Sequence, residues 1–233
     1  KYGKCERLDR ILKAEGEDPN EFKIAKQPDV LMLFYLFEEK ELKRIFKQLG
    51  YKFNHVMKNK TIQYYLNRTS HGSTLSKMVF SSILFNENPQ ISEALFQESL
   101  LSDIEDIQGG TTQEGIHLGV MVGTLSILIK NCSGLKIKKG KLSLNPNLPS
   151  WVKRLKFKIE FQNNLYEIEA FTNSCVINLC EQGNKNTSIY INNRLTQLSI
   201  NKKFIYKKEI LFRKEKLNIP FKTTPNSNRD LIN

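Results

Sequence analysis

One short stretch of this chain concentrates side chains that could hold an anion. Residues 68–74 read Arg-Thr-Ser-His-Gly-Ser-Thr, which supplies a guanidinium, an imidazole, four hydroxyls and a glycine that lets a ligand approach the backbone. A helical pattern follows directly, and the N–H groups at a helix start favour anions such as phosphate. The candidate phosphate-binding residues are therefore Ser70, His71, Gly72 and Ser73. Because Ser and Thr are also ordinary N-caps, a purely structural cap is the alternative.

A second imidazole, His117, stands near the start of another apolar helical pattern. Most histidines on apolar helices are satisfied core residues, so the residue alone favours a structural role. Glu114 fits the positive end of a helix dipole equally well. The acidic cluster of Asp103, Glu105 and Asp106 is interpreted as a solvated turn rather than a catalytic pair.

The elements that must position these residues are helical in the first part of the chain. Residues 30–37 are apolar at every position, which predicts full burial, and the helical pattern continues to residue 49 and ends at Gly50. Gly115, Gly119 and Gly123 recur every four residues and predict a narrow strip for close packing. The predicted helices are 6–14, 30–49, 75–85, 91–101 and 115–131.

From Gly134 onward the apolar period switches towards two, which is typical of strands. The clearest alternation spans residues 155–161, and the Asn163-Asn164 pair predicts a hairpin turn to a second strand at 165–172. Shorter strands are predicted at 175–179, 188–191, 194–198 and 204–206. Together they indicate a small antiparallel β-sandwich.

Charge also divides the chain at this point. Residues 1–133 carry 17 basic and 17 acidic side chains, which leaves 19 and 7 of the totals of 36 and 24 for residues 134–233, so the whole net charge of +12 lies in the second part. The four cysteines and three histidines show no metal-ligand spacing, so no metal site is predicted. The longest uncharged stretch, 115–129, falls short of the ~20 residues of a membrane span, and a cytoplasmic location is expected.

Several segments, taken in order, resemble the C-terminal part of glycoside hydrolase family 65, which contains inverting phosphorylases of maltose, trehalose and kojibiose. The resemblance covers roughly the first three quarters of the chain and lies in the order and spacing of the segments. The segments are Lys26-Gln27-Pro28-Asp29-Val30-Leu31, residues 64–73, Glu114-Gly115-Ile116-His117-Leu118-Gly119, Gly134-Leu135-Lys136-Ile137 and residues 142–149.

This resemblance implies a fold class and a domain organisation. The chain would be a multi-domain α and β protein: the C-terminal helices of an (α/α)6 toroid at 1–133, a small β-sandwich at 134–210, and a flexible tail at 211–233. It begins at Lys1 without an initiator methionine, as a piece of a longer polypeptide would. The general acid of the family, a glutamate, would lie upstream of Lys1, so the isolated chain is expected to be inactive.

The implied reaction converts a disaccharide and phosphate into β-glucose 1-phosphate and a released sugar. Inverting hydrolases activate water with a second carboxylate, whereas here phosphate is the nucleophile and a carboxylate would repel it. The family pattern assigns phosphate binding to the Ser70–Ser73 loop with His117, and glucose binding to Lys26 and Gln27, although Pro28 replaces an expected alanine. No metal or organic cofactor is implied.

The implied partners are the α-glucoside disaccharide, phosphate and the N-terminal remainder of the catalytic domain, with a homodimer left open. Two rival functions remain. A family 65 hydrolase would use water in place of phosphate. A basic β-module would instead bind nucleic acid through Lys-rich strands, with Phe157 or Tyr166 stacking on bases. Lys156 and Lys158 also fit the solvated face of a strand, and no membrane association is expected.

Overall fold

The computed structural model describes residues 8–71, 73–105 and 112–207. The chain divides into two compact units, one up to Thr124 and one from Leu125. Gly72, Asp106 and the predicted flexible tail at 211–233 lie outside the described residues. Among the described residues, none of the helices is both long and apolar enough to span a bilayer.

The first unit is helical, and three of the helices described in it begin at a residue whose side chain caps the helix. Asn54, Ser73 and Asn88 each accept a hydrogen bond from a backbone N–H in the first turn of the helix that follows. Gly50 adopts the left-handed conformation just after a helix end, as predicted. The helices are α1 (Leu8–Ala14), α2 (Met32–Leu36), α3 (Glu39–Gln48), α4 (His55–Leu66), α5 (Thr74–Leu84), α6 (Pro89–Leu101) and α7 (Leu118–Ser126).

Helix α5 lies at the centre of this unit, with most of its side chains buried. It packs against α6 through small residues: the Ser81 hydroxyl donates to the Ser92 carbonyl at 2.8 Å, and the Ser92 hydroxyl donates to the Ser81 carbonyl at 2.7 Å. Leu31, Ile62 and Phe80 join the same core. The loop that precedes α5 therefore leads directly into the buried helix of this unit.

The predicted single helix at 30–49 is wrong. The backbone is extended at Phe37 and Glu38, so α2 and α3 are separate helices, and Glu38 precedes the first turn of α3. The predicted full burial of 30–37 is also wrong, because Leu36 is 63% exposed and Leu33 is 38% exposed. Leu31 alone of residues 30–37 is fully buried.

The helix predicted at 115–131 is shorter than expected: its α-helical part is Leu118–Ser126, and the residues after it are not α-helical. After α7, residues Ile127–Cys132 form a π-helical turn. The close packing predicted for the glycine strip is found at Gly123, where a Cβ would lie 2.4 Å from the Met78 side chain. Gly119 has open space beside it. Leu118 is 72% exposed, so α7 is not buried on all sides within the part of the chain that is described.

The second unit contains two four-stranded sheets, ordered β1-β2-β6-β7 and β3-β4-β5-β8. Most neighbouring strands are antiparallel, as predicted, but β2 and β6 are parallel, with Ser143 opposite Tyr190. The strands are β1 (Lys136–Lys138), β2 (Lys141–Leu144), β3 (Arg154–Phe161), β4 (Asn164–Phe171), β5 (Ser174–Gln182), β6 (Ser188–Ile191), β7 (Arg194–Gln197) and β8 (Lys203–Lys207).

Both sheets contribute to one apolar core, which includes Leu144, Ile168, Ile177 and Ile191. The predicted hairpin between β3 and β4 is present, but its turn is formed by Gln162 and Asn163, both at positive φ, one residue earlier than predicted. The turn is displaced because the Asn164 side chain is buried, where its carboxamide accepts hydrogen bonds from two backbone N–H groups.

The structure contradicts one element of the nucleic-acid alternative. Tyr166, which was expected to stack on bases, is 2% exposed and belongs to the sandwich core. Two of the basic side chains on the neighbouring strand are paired with acids: Arg154 with Glu169 at 2.5 Å, and Lys156 with Glu167 at 3.1 Å. These contacts favour the solvated-face interpretation of the basic strands.

Candidate functional site

The anion-binding candidate loop connects α4 to α5. Ser73 caps α5, accepting a hydrogen bond from the Leu75 N–H at 3.3 Å, so the structural alternative is realised at this residue. Its hydroxyl still has a proton to donate. Arg68 lies over the Tyr64 ring, 4.1 Å from the ring centroid, which holds its guanidinium at the side of α4.

A pair of backbone hydrogen bonds joins this loop to the segment that contains Lys26 and Gln27. The Ala25 N–H donates to the Arg68 carbonyl at 2.9 Å, and the Ser70 N–H donates to the Ala25 carbonyl at 2.8 Å. Two candidate groups that are more than forty residues apart in sequence thus become neighbours. The segment 25–27 cannot shift along the loop without breaking both bonds.

An open cleft of about 450 Å³ lies beside this connection. Lys26 and Gln27 both line it, and Tyr65 of α4 forms part of its wall. A cation and an amide at the wall of a cleft can hydrogen-bond the vicinal hydroxyls of a sugar. The remaining lining residues are Ala25, Asp29 and Val30.

The imidazole of His71 has a defined tautomer. Its Nδ1 lies 2.8 Å from the Ser76 hydroxyl oxygen, and that hydroxyl donates its single proton to the Ser73 carbonyl at 2.8 Å. Ser76 must therefore accept from His71, so Nδ1 carries the ring proton and Nε2 is the acceptor nitrogen. The backbone of His71 is left-handed, with φ of 47°, which is uncommon outside glycine and frequent at functional sites.

Burial and two neighbouring charged side chains set the pKa of His71. The pKa of His71 is lowered from 6.5 to about 4, chiefly by burial; the charge of Lys77 acts in the same direction, and that of Glu98 opposes both. Lys77 is 1% exposed and forms an ion pair with Glu98, with 2.9 Å between Nζ and Oε2. His71 is thus a neutral hydrogen-bonding group at pH 7, beside a buried cation.

The Ser70 hydroxyl is buried and has no hydrogen-bond partner among the described residues. Buried polar groups are almost always satisfied, and an exception needs an explanation such as a ligand or ion. Its backbone N–H is already used in the bond to Ala25. The hydroxyl is therefore the group of Ser70 that can donate a hydrogen bond to a ligand.

His117 lies just before α7 and is held by Asp103, in the turn that follows α6. The carboxylate accepts from His117 Nδ1 at 2.7 Å and from the His117 backbone N–H at 2.8 Å. The Asp103 side chain is only 8% exposed, so its interpretation as part of a solvated acidic turn is wrong. Glu105, two residues later, is exposed as expected.

The structure thus brings the segment that contains Lys26 and Gln27 against the loop at Arg68–Ser70, while the convergence of His71 with His117 stays a prediction. Sequence reasoning missed Ser76, Lys77 and Asp103. Lys77 did carry a signal, as the single charged residue within an otherwise apolar and hydroxyl-bearing helix. Within the described residues, no group of acids, histidines and cysteines could hold a metal ion.

Comparisons with known proteins match both parts of the chain to one family. The model for the family 65 central catalytic domain of glycosyl hydrolases matches residues 1–126, and the model for the C-terminal domain of the same family matches residues 135–198. A trehalose 6-phosphate phosphorylase of Lactococcus lactis is 42% identical over 171 residues, which are 72% of this chain and 22% of that protein.

Two further proteins show similarity. An uncharacterized glycosyl hydrolase of Mycobacterium tuberculosis is 43% identical over 164 residues, which are 70% of this chain and 12% of that protein. The solved structure of a proposed kojibiose phosphorylase from the human microbiome superposes with a TM-score of 0.60 at 25% identity, covering 82% of this chain and 26% of that one. The chain therefore spans about a quarter or less of the relatives named here. It belongs to glycoside hydrolase family 65, with its helical unit matching the catalytic domain and strands β1 to β7 matching the C-terminal domain.

Proposed function

We propose that this chain forms the phosphate-binding and glucose-binding part of an inverting α-glucoside phosphorylase. The backbone pairing of Ala25 with Arg68 and Ser70 supports the proposal, because it holds the segment that contains Lys26 and Gln27 against the backbone of that loop. In this proposal the helices belong to an (α/α)6 toroid. The enzyme works in the cytoplasm and uses no metal or organic cofactor.

In the proposed reaction, an oxygen of inorganic phosphate attacks the anomeric carbon of the bound glucosyl unit. The glycosidic bond breaks with inversion, a general acid protonates the leaving oxygen, and the products are β-glucose 1-phosphate and the released sugar. The loop donates hydrogen bonds to the phosphate from hydroxyls and backbone N–H groups. Lys26 and Gln27 hold the glucosyl hydroxyls.

The general acid of the proposed enzyme lies outside these 233 residues. Two acidic side chains next to the histidines are already engaged: Glu98 with Lys77, and Asp103 with His117. A carboxylate whose oxygens are already engaged by such a partner is poorly placed to reach the leaving oxygen of a sugar. We therefore expect the isolated chain to bind phosphate but not to cleave disaccharides.

The test is the phosphate dependence of cleavage by an enzyme that contains this chain together with the rest of its catalytic domain. Trehalose 6-phosphate is the first substrate to assay, given the 42% identity to the phosphorylase of that sugar, followed by trehalose, maltose and kojibiose. Proton NMR of the product identifies the anomer. We expect β-glucose 1-phosphate, formed only when phosphate is present.

A matched pair of variants examines the loop itself. Ser70→Ala removes the buried hydroxyl without a partner, and Ser199→Ala makes the same chemical change at an exposed position in the second unit. We expect the first to raise the KM for phosphate and the second to leave it unchanged. Release of free glucose at the same rate without phosphate would refute the proposal and support the hydrolase.

A further inference from the structure

Two hydrogen bonds join the side chain of Asp103 to His117. Both carboxylate oxygens bond to one residue, Oδ1 to the ring nitrogen Nδ1 at 2.7 Å and Oδ2 to the backbone N–H at 2.8 Å. The carboxylate is 8% exposed, whereas the imidazole is 30% exposed. The buried acid therefore supports a ring that remains partly open to solvent.

This geometry determines which ring nitrogen carries a proton. A carboxylate can only accept, so Nδ1 of His117 must be protonated, and Nε2 is the nitrogen that is directed away from Asp103. Ring orientation is also fixed, because the two bonds grip the residue at both its main chain and its side chain. His71 differs, since its Nδ1 is held by the neutral hydroxyl of Ser76.

We infer that Asp103 is the positioning residue for His117 in the phosphate site. Asp103 fixes the Nδ1 proton and the ring plane, and its negative charge balances an imidazolium whose Nε2–H donates to phosphate. The inference rests on the proposed function and adds a residue to it. Because the carboxylate bonds to Nδ1 and the phosphate would bond to Nε2, Asp103 supports the anion site without contacting the anion.

A purely structural role for Asp103 makes a different prediction. The His117 carbonyl accepts the first hydrogen bond of α7, from the Val120 N–H at 2.8 Å, so Asp103 could simply tie down the start of this helix. One oxygen is enough for that task. The bond from the second oxygen to Nδ1 contributes nothing to capping, and an asparagine, which retains one acceptor oxygen, separates the two roles.

The test uses the full 233-residue chain labelled with ¹⁵N-histidine. The chain has three histidines, so His→Gln variants at positions 55, 71 and 117 assign every ring resonance. Two-bond ¹H–¹⁵N spectra then report the tautomer of His117, and titration with inorganic phosphate reports binding. Asp103→Asn is compared with Glu105→Gln, which removes a carboxylate from an exposed position of the same turn.

We expect Nδ1 of His117 to be protonated in the native chain and Nε2 to become a donor when phosphate is added. Asp103→Asn should shift the ring towards the Nε2–H tautomer and weaken phosphate binding about tenfold, as loss of an orienting group does at metal sites. Glu105→Gln should change neither. Should Asp103→Asn fail to fold, the native spectrum and Asp103→Glu, which retains the charge, provide the same test.

Two different failures can be distinguished. If phosphate shifts the ring resonances of the native chain but His117 is in the Nε2–H tautomer, or Asp103→Asn binds phosphate normally, the role of Asp103 is refuted and the proposed function stands. If phosphate shifts neither His71 nor His117, the proposed function is refuted, and the role of Asp103 within it is refuted as well.

Discussion

The buried imidazole of His71 should make the helical unit sensitive to mild acid. In the folded chain, burial and the charge of Lys77 lower the pKa of His71 to about 4, whereas an unfolded chain has the ordinary value of 6.5. Between these two values the unfolded chain binds a proton that the folded chain does not. The free energy of unfolding must therefore fall as the pH is lowered from 6.5 to 4, and this contribution levels off below 4.

The size of the effect follows from the same two values. One pKa unit corresponds to about 1.4 kcal/mol, so the difference between 6.5 and about 4 gives about 3 kcal/mol of stability that is present at pH 7 and lost at pH 4. Carboxylates contribute in the same direction, for example Glu39, whose pKa is lowered by its hydrogen bond to Lys43. A variant is needed to isolate the histidine.

Urea unfolding followed by circular dichroism, repeated at several pH values, measures this contribution. The His71→Gln variant should be less dependent on pH than the native chain by about 3 kcal/mol across the window from 6.5 to 4. His55→Gln removes a half-exposed imidazole and should retain the slope that His71 causes. A folded-state titration of His71 near 6.5, or equal slopes for the native chain and His71→Gln, would refute the electrostatic reasoning.

Three further predictions concern single positions. Ser76→Ala removes the hydroxyl that accepts from His71 Nδ1, while the Ser73 carbonyl still receives the backbone N–H of residue 76. We expect the free energy of unfolding in urea to fall by about 1–3 kcal/mol. An unchanged unfolding midpoint would argue against the bond. Gly134→Ala places a Cβ 2.4 Å from the Asn145 carbonyl oxygen at a φ of +63° and should lower the melting temperature of the second unit, while Gly140→Ala, with the same φ sign and open space, should lower it less. Burial raises the pKa of Cys175 to about 12, so mass spectrometry should find this thiol unmodified by iodoacetamide until the sandwich unfolds, and rapid labelling of the native chain would contradict its burial.

The sequence predicted the strands better than the helices, for reasons that particular residues show. The alternation along 155–161 allows only one orientation of the strand, because the apolar residues of β3 must face the core that includes Ile168. By contrast, α4 was not predicted at all, since its apolar residues are spread around the helix and Ile62 alone of that helix is fully buried. The break at residues 37–38 was hidden because the charged residues 38–41 are compatible with a helix and apolar residues at helical spacing resume at Leu42.

The candidate site was predicted in its parts but not in its connections. Residue types pointed to Ser70 and His71, because hydroxyls and an imidazole before a helix start are recognisable in a sequence, whereas His117 entered the candidate site through the family resemblance. The partners of the two imidazoles were not predictable in the same way. Asp103 lies 14 residues before His117, and a sequence does not state which acid of a cluster turns inward.

The parallel pairing of β2 with β6 has a consequence for how the second unit is made. These strands are more than forty residues apart, and the hairpin of β1 and β2 emerges from the ribosome long before its neighbour. Until β6 is synthesised, the edge of β2 offers unpaired backbone groups to any passing strand. Chains that terminate before Ile191 should therefore aggregate, whereas chains that extend past it can close their own sheet.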